Sequence, residues 1–284
     1  MTQHSQPVAN STDYQHEYAD ILGVKVSAIN MNRAVDMANR WIAVGSCGYV
    51  CITGVHGVME AQKDPEFRKI LNHAVMNTPD GMPMSWVGKL QGFDKMDRVF
   101  GPDFMSAICQ LSPERGYRHF LYGGRPGVVQ KLKEALERKF PGLQIVGTYT
   151  PPFRALNAEE EEELLSQVHA SHPHILWVGL STPKQERFMA HYMDRLQVPL
   201  SVGVGAAFDY HTGRIQDCSP WIKRAGLQWL HRLLQDPRRL WRRYLRNNPA
   251  FVWKITLQLL KLRRYPHISD TPAPASQPNI EVRS

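Results

Sequence analysis

The chain has 284 residues, of which 43% are hydrophobic, so it can bury a large core and is not a disordered protein. Its formal net charge of +8 is unevenly distributed, because residues 221–265 hold twelve Lys or Arg against one acidic residue and the remainder carries −3. Four scattered cysteines argue against a disulfide scaffold. The sequence contains no run of about eighteen apolar residues, so no transmembrane helix is predicted.

Short apolar runs alternate with helical patterns between two polar tails, residues 1–17 and 267–284, which we expect to be disordered. The N-terminal tail lacks the apolar region of a signal peptide, so we expect a cytoplasmic location. Candidate strands occur at residues 49–53, 119–122, 143–148, 175–179 and 200–204, with helical patterns such as 126–140 and 158–169 among them. They are apolar nearly throughout, as in a sheet covered on both faces. Residues 18–216 therefore predict an α/β core with a Rossmann-like, largely parallel sheet and helices on both faces.

Three of these strands are followed by loops that suit a nucleotide diphosphate. Glycines let the backbone approach a ligand closely, and helix N-termini direct N–H groups at anions. A glycine-rich turn also commonly joins a strand to a helix without binding a ligand, so the loops alone are weak evidence of a nucleotide site. The candidate binding residues in them are Gly123, Gly124, Pro126 and Gly127, then Gly179, Pro183 and Lys184, then Gly205 and Asp209.

A Thr-Pro-Asp-Gly sequence at residues 78–81 follows a helical pattern. Pro-Asp-Gly is favourable turn chemistry, and an ordinary turn is one interpretation. The other is that the turn displays Asp80 as a general base, because an acceptor hydroxyl must lose its proton as it attacks an anomeric carbon.

Gln185 and His56 are two further polar candidates. Gln185 can donate to and accept from sugar hydroxyls, and Lys184 suits a phosphate, although a charged helix surface is the alternative at this position. His56 is isolated from other metal-type ligands, and a packed histidine is the simpler interpretation. No Asp-x-Asp sequence is present to hold Mg²⁺ under a diphosphate, so cationic side chains would have to balance the leaving group.

Residues 217–266 form a basic segment that we expect to be a helical appendage. At roughly 100° per residue, Leu240, Trp241, Tyr244 and Leu245 fall on one side of a helix and five arginines on the other. A cationic amphipathic helix with tryptophans is typical of an element that docks on an anionic membrane. A bundle packed on the core and a nucleic-acid patch are the alternatives, and the Trp and Leu content argues against nucleic acid as a partner.

These residues resemble the WecG/TagA/CpsF glycosyltransferases, glycosyltransferase family 26, over about residues 20–250. Six motifs occur in the order of that family, which makes the resemblance specific. They are DGMP at 80–83, YGGRPGV at 122–128, FPGLQIVGTYTPPF at 140–153, VGLSTPKQE at 178–186, GVGAAFDYHTG at 203–213 and GLQWLHRLLQDPRRLWRRY at 226–244.

The resemblance implies a GT-E fold and an inverting transferase that uses neither a metal nor another cofactor. It implies a UDP-activated donor of the N-acetylmannosamine type, or a related hexose or uronic acid, and an acceptor sugar on undecaprenyl diphosphate. The family's catalytic aspartate falls on Asp80 and its sugar-handling glutamine on Gln185. Its appendage docks on the inner face of the plasma membrane and places arginines over the active site; homo-oligomerisation is left open. The candidate arginines are Arg224, Arg232, Arg238, Arg239, Arg242 and Arg243.

The chain departs from the family pattern in two places. The family usually shows Thr-x-Asn after an early strand, whereas Thr53 is followed by Gly54, Val55 and His56, so either Thr53 or His56 is a candidate for that contact. The family's Arg-Ala-Pro before the appendage is Cys-Ser-Pro at residues 218–220, which loses a cation. Both changes are compatible with a different sugar.

Two functions from other classes compete with a transferase. A dinucleotide-dependent oxidoreductase on a Rossmann-like core predicts Gly-x-Gly-x-x-Gly on the first strand, and the sequence has none. A non-catalytic basic adaptor for membranes or nucleic acid predicts no ligand in the α/β core. Thermal shifts separate the three, because UDP should stabilise a transferase, NAD an oxidoreductase and neither an adaptor.

Overall fold

A computed structural model describes residues 16–266, so nearly all of the two predicted tails lies outside the described residues. Within this range the strands are β1 (Tyr18–Ile21), β2 (Val24–Ser27), β3 (Gly48–Thr53), β4 (Met76–Pro79), β5 (Arg118–Gly123), β6 (Gln144–Tyr149), β7 (Ile175–Gly179) and β8 (Leu200–Gly203). The helices are α1 (Met31–Val44), α2 (Val55–Ala61), α3 (Pro65–His73), α4 (Met82–Leu90), α5 (Gly101–Arg115), α6 (Val128–Lys139), α7 (Ala158–Ser171), α8 (Lys184–Leu196), α9 (Ala207–His211), α10 (Pro220–Arg224), α11 (Gln228–Gln235) and α12 (Pro237–Leu259).

Six of the strands form one parallel sheet in the order β4-β3-β8-β7-β5-β6. The predicted Rossmann-like α/β fold is therefore confirmed. Strands β1 and β2 form a separate antiparallel hairpin that contacts α4 and β4. Because all six strands of the main sheet point the same way, their carboxyl ends meet at one edge.

Helices cover both faces of this sheet because the buried strands alternate their side chains between two apolar clusters. Phe120 and Tyr122 on β5 belong to the cluster that includes residues of α2, α3, α7 and α8. Leu121, between them, belongs to the cluster on the opposite face, with residues of α1, α5, α6 and α9. Strand β7 alternates in the same way at Leu176 and Trp177.

Strand β4 was not among the candidate strands, although the candidate base follows it directly. Its sequence, MNTP, is short and polar, yet all four residues are buried. Ser27 Oγ accepts a hydrogen bond from the Asn77 backbone N–H at 3.0 Å, and the Asn77 amide donates to the Lys25 carbonyl at 2.9 Å. The β1–β2 hairpin therefore pairs with polar groups of this edge strand that would be unfavourable to bury alone.

The last helix, α12, packs against the core along one stripe. Leu240, Asn247, Phe251 and Ile255 are its buried residues, and the last two join the apolar cluster of α2 and α8. Near its end, Gln258 accepts from the Leu22 backbone N–H at 2.8 Å and donates to the Asp20 carbonyl at 2.9 Å. These contacts hold the C-terminal helix against the hairpin.

The side chains on the two predicted faces of this helix differ in exposure. Leu240 is buried, whereas Trp241 and Leu245, on the apolar side that is expected to dock on a membrane, are exposed to solvent. Arg243, on the predicted cationic side, is half-buried. The helix runs on through Pro249 as one element, and the packing of Phe251 and Ile255 on the core decides which face turns inward.

Candidate active site

The carboxyl ends of the central strands open onto one cleft of about 1340 Å³, whose opposite wall is formed by α10, α11 and α12. This is where ligands bind in open parallel sheets. The structure brings most of the predicted site residues into the lining of this cleft, and the others lie outside the lining. Its lining includes His56, Asp80, Gly124, Gly179, Lys184, Gln185, Gly205, Asp209, Arg232, Arg239 and Arg243. Thr53, Gly123, Pro126, Gly127, Pro183 and Arg242 do not contribute to the lining.

Asp80 is the first residue after β4, next to the end of β3. Its backbone N–H donates to the Thr53 carbonyl at 2.9 Å, and Gly81, the residue before α4, has a φ of +88°, which glycine adopts readily. Burial in the cleft raises the pKa of the Asp80 carboxyl, and the charge of Arg98 opposes that rise. The side chain remains 34% exposed, so it is accessible from the cleft. The segment thus joins β4 to α4 and leaves the Asp80 carboxylate accessible from the cleft.

Arg98 is a site residue that sequence reasoning missed. Its Nε lies 3.8 Å from Asp80 Oδ1, and its guanidinium stands 4.2 Å from the centre of the Phe100 ring. It also donates to the side chain of Gln228 on α11, across the cleft. No local motif marks Arg98, because it is one of 34 Lys or Arg residues and only the fold places it beside Asp80.

Three arginines of the lining each hold a buried N–H that has no hydrogen-bond partner within residues 16–266. They are Arg98 at Nε, Arg232 at Nη1 and Arg243 at Nε. A buried donor without a partner is unfavourable by about 1–3 kcal/mol, and an anion in the cleft could relieve that. Arg239 is already paired with Asp236 at 2.6 Å, whereas Arg242 lies over the Trp241 ring, away from the cleft lining.

Gln185 and Glu186 are buried rather than part of a charged helix surface, while Lys184 is exposed. The Gln185 side chain accepts from the Ser181 backbone N–H at 3.2 Å and donates to Glu186 Oε1 at 3.0 Å. Thr182 Oγ1 donates to the same oxygen of Glu186 at 2.7 Å. Pro183 is the residue before the helix, which begins at Lys184.

The glycine loops sit close together because the strands that precede them are neighbours. A Cβ on Gly123, at a φ of +121°, would lie 2.7 Å from the Gly179 carbonyl oxygen. A Cβ on Gly205 would lie 3.4 Å from Gln185 Oε1, and Asp209 forms an ion pair with Arg214 at 3.7 Å. Glycine is therefore required at Gly123, where two strand ends approach each other, whereas a Cβ on Gly205 would make only an ordinary contact with Gln185.

Comparison with known proteins assigns the chain to a family. A family model described as the glycosyl transferase WecG/TagA/CpsF family matches residues 19–265. The chain belongs to this family. It is therefore a glycosyltransferase, as its motifs predicted, and the oxidoreductase and adaptor interpretations were wrong.

Two curated proteins are similar to this glycosyltransferase. A protein of Bacillus spizizenii (strain ATCC 23059 / NRRL B-14472 / W23) is 31% identical over 193 residues, which cover 68% of this chain and 72% of that protein. A protein of Bacillus subtilis (strain 168) is 25% identical over 185 residues, or 65% of this chain and 70% of that protein. Both are named N-acetylglucosaminyldiphosphoundecaprenol N-acetyl-beta-D-mannosaminyltransferase.

His56 stands where the family motif usually has asparagine, and it joins α2 to α12. Asn247, which is buried, places its side-chain amide 3.1 Å from His56 Nδ1. Burial and the nearby charge of Arg243 lower the pKa of His56 to about 4, so the ring is neutral at physiological pH. Thr53 is buried under α2, and its hydroxyl has no hydrogen-bond partner among the described residues. Of the two candidates for the missing contact, only His56 lines the cleft.

The appendage of this glycosyltransferase exposes apolar as well as basic side chains. All four of its tryptophans, Trp221, Trp229, Trp241 and Trp253, are exposed, and Leu234 is 75% exposed. No helix within residues 16–266 is long and apolar enough to cross a membrane. In the same range, no group of three or more His, Cys, Asp or Glu side chains is arranged to hold a metal ion.

Proposed function

We propose that this protein transfers an N-acetylmannosamine-type sugar, or a related hexose or uronic acid, from a UDP-sugar to a glycan on undecaprenyl diphosphate. The two relatives carry the name of that transfer onto N-acetylglucosaminyldiphosphoundecaprenol. The observation that carries the proposal is one cleft in which a carboxylate, Asp80, faces arginines from separate parts of the chain. Such a product belongs to the synthesis of an envelope or exopolysaccharide glycan.

Asp80 acts as the general base in this proposal. The acceptor hydroxyl gives its proton to the Asp80 carboxylate while its oxygen bonds to the anomeric carbon of the donor. The bond from that carbon to the diphosphate breaks in the same displacement, and UDP leaves with the electron pair. A single displacement of this kind inverts the configuration at the anomeric carbon. Gln185, at the same wall of the cleft, positions the sugar.

The diphosphate charge is balanced by cationic side chains without a metal. Arg232 and Arg243 lie in the cleft, each with a buried N–H that no atom of residues 16–266 accepts, and Lys184 is exposed at the start of α8. Guanidinium groups bind phosphate oxygens through charge-assisted hydrogen bonds, and fixed donors stabilise the charge that develops on a leaving group. The backbone of the glycine loops around Gly124 and Gly205 gives the nucleotide room to approach the strand ends.

The cleft also has an apolar part that suits a lipid-linked acceptor. From α4 it is lined by Trp86, Val87 and Leu90, and from α12 by Val252, Ile255 and Leu259. The ends of these two helices meet at the Asp20 carbonyl, which accepts from Gln91 at 2.7 Å and from Gln258 at 2.9 Å. A basic part next to an apolar part matches a diphosphate joined to a polyprenyl chain.

The appendage docks the enzyme on the inner face of the plasma membrane in this proposal. Exposed tryptophan and leucine side chains can enter the interface between lipid headgroups and acyl chains, while neighbouring arginines attract anionic lipids. This arrangement would bring the cleft to an acceptor that stays anchored in the bilayer.

The test is transfer by the purified full chain to a synthetic N-acetylglucosamine diphosphate lipid, with UDP-sugars screened for UDP release. The anomeric coupling constant of the product reports inversion, and an EDTA-treated sample should keep its rate. Asp80→Asn should fold normally and lose transfer by about 10²-fold or more. Asp94→Asn, on an exposed residue outside the cleft lining, is the matched control and should keep the rate. Near-normal transfer by Asp80→Asn would remove Asp80 from the role of base.

A further inference from the structure

The Gln185 amide is held from both sides. Its oxygen accepts from the Ser181 backbone N–H at 3.2 Å, and its nitrogen donates to Glu186 Oε1 at 3.0 Å. Turning the amide by 180° would set two donors against each other at Ser181 and two acceptors against each other at Glu186. These two neighbours therefore select one orientation of the amide, with one N–H and one oxygen lone pair left for the cleft.

Glu186 is buried, and its carboxylate is held in position to accept the hydrogen bond from the Gln185 amide. It is 1% exposed, and the same oxygen that receives the Gln185 N–H also receives the Thr182 hydroxyl at 2.7 Å. Burial raises the pKa of the Glu186 carboxyl. Its other oxygen, Oε2, is buried without a hydrogen-bond partner among the described residues, so a proton there would leave both bonds at Oε1 intact.

Room for the amide comes from Gly203, the last residue of β8. A Cβ on Gly203 would lie 3.0 Å from Gln185 Nε2, which is a tight contact, whereas one on Gly205 would lie at an ordinary 3.4 Å from Gln185 Oε1. The amide therefore rests against the strand end, where it also forms part of the cleft wall. Its position along the cleft is set by this packing, and its orientation is set by hydrogen bonds.

We infer that Glu186 is a positioning residue, which acts on the sugar through Gln185 by fixing the direction in which the Gln185 amide presents its N–H. The inference rests on the proposed function for the part that gives Gln185 the sugar. Its distinctive feature is that the reach of the carboxyl oxygen matters and its negative charge does not.

Two substitutions separate reach from charge. Glu186→Gln keeps an acceptor oxygen at the same distance and removes the charge, so kcat should stay within about threefold of the unmodified enzyme. Glu186→Asp keeps the charge but withdraws the oxygen by one methylene, which releases the Gln185 amide. We expect kcat to fall about tenfold, the effect of one lost hydrogen bond between Gln185 and the sugar in the transition state. A Glu186→Asp enzyme with unchanged kcat, or a Glu186→Gln enzyme as slow as Glu186→Asp, would overturn the inference.

A double-mutant cycle with Gln185→Ala distinguishes positioning from a merely structural role. If Glu186 acts through Gln185, the double variant Gln185→Ala/Glu186→Asp should have the same kcat as Gln185→Ala alone, within about twofold. Effects that multiply in the double variant would show that Glu186 acts independently of Gln185. All variants are compared below their melting temperatures, measured by circular dichroism.

A readout without substrate keeps this inference distinct from the proposed function. The Gln185 side-chain amide resonance, identified by its loss in Gln185→Ala, should exchange slowly with water in the unmodified protein and in Glu186→Gln. It should exchange faster in Glu186→Asp. Slow exchange in all three proteins would overturn the positioning role even if transfer is observed. The expected exchange pattern would support the role even if the lipid acceptor proved wrong.

Discussion

Removal of the Arg98 charge should make the candidate base easier to protonate. Arg98 Nε lies 3.8 Å from Asp80 Oδ1, and the Arg98 side chain is only 10% exposed. Burial raises the pKa of Asp80, and Arg98 is the largest opposing influence, with Arg232 acting in the same direction and Asp103 in the other. Arg98→Met removes the positive charge that stabilises the Asp80 carboxylate, so the pKa of Asp80 should rise further.

The distance sets the size of the effect. Two unit charges about 4 Å apart interact by about 4 kcal/mol at an effective dielectric constant of about 20 and by about 1 kcal/mol in water. Asp80 is 34% exposed, so solvent screening places the pair toward the lower end, at about 1–2 kcal/mol. One pKa unit corresponds to about 1.4 kcal/mol, so we expect a shift of about one unit.

The assay is the pH profile of kcat/KM, measured by UDP release. A base works only when deprotonated, so activity falls on the acidic side as Asp80 takes up a proton. The acidic limb should move upward by about one pH unit in Arg98→Met, should stay close to its original position in Arg98→Lys, and should be absent from the residual activity of Asp80→Asn. An acidic limb that stays in place in an active Arg98→Met enzyme would refute the assignment of that limb to Asp80.

Three further predictions concern stability and the membrane. Gly123→Ala should lower the free energy of unfolding by about 1–3 kcal/mol more than Gly92→Ala. Both glycines have a positive φ, but a Cβ at Gly123 meets a backbone carbonyl, whereas one at Gly92 meets no atom of the described residues within 4 Å. Equal losses in urea titrations would contradict this. Burial lowers the pKa of His119 to about 3, so below about pH 6.5 the unfolded chain binds a proton that the folded protein does not, and the free energy of unfolding falls by about 1.4 kcal/mol per pH unit from this group. His119→Gln should therefore lose about 1 kcal/mol less than the unmodified protein between about pH 7.5 and pH 5.5, and an equal pH dependence would be the contrary result. Leu245 and Trp253 are each 66% exposed, so replacing both by Ser should weaken sedimentation with anionic vesicles several-fold and leave Tm unchanged; undiminished sedimentation would exclude these two side chains from docking.

The interior strands β3, β5, β7 and β8 could be predicted from the sequence because a strand buried on both faces is apolar along nearly its whole length. All four are present with ends within one residue of the prediction, and so is β6, which lies at the edge of the sheet. Strand β4 could not be read in this way, since Asn77 and Thr78 are polar and become buried at the sheet edge, where the hairpin of residues 18–27 supplies hydrogen bonds to Asn77. Polar burial depends on a distant partner, and local patterns do not reveal one.

Some residues of the candidate site could likewise be predicted from local sequence, and others could not. Asp80 and Gln185 could be named from their motifs, and both prove to line one cleft. Arg98 could not, because its closeness to Asp80 depends on how the loop before α5 packs rather than on residues around it. A single arginine in a loop has no distinctive sequence pattern that would identify it as a site residue.

The basic segment shows most clearly which properties follow from the sequence and which depend on the tertiary structure. The sequence by itself determined that residues 221–265 concentrate the positive charge and most of the tryptophan, and that they form amphipathic helices. It could not choose between Arg242 and Arg243, which are adjacent in the chain but point about 100° apart on a helix. That choice depends on the rotation of α12, which the burial of Phe251 and Ile255 against the core fixes, and this rotation turns Arg243 into the cleft and leaves Arg242 outside its lining.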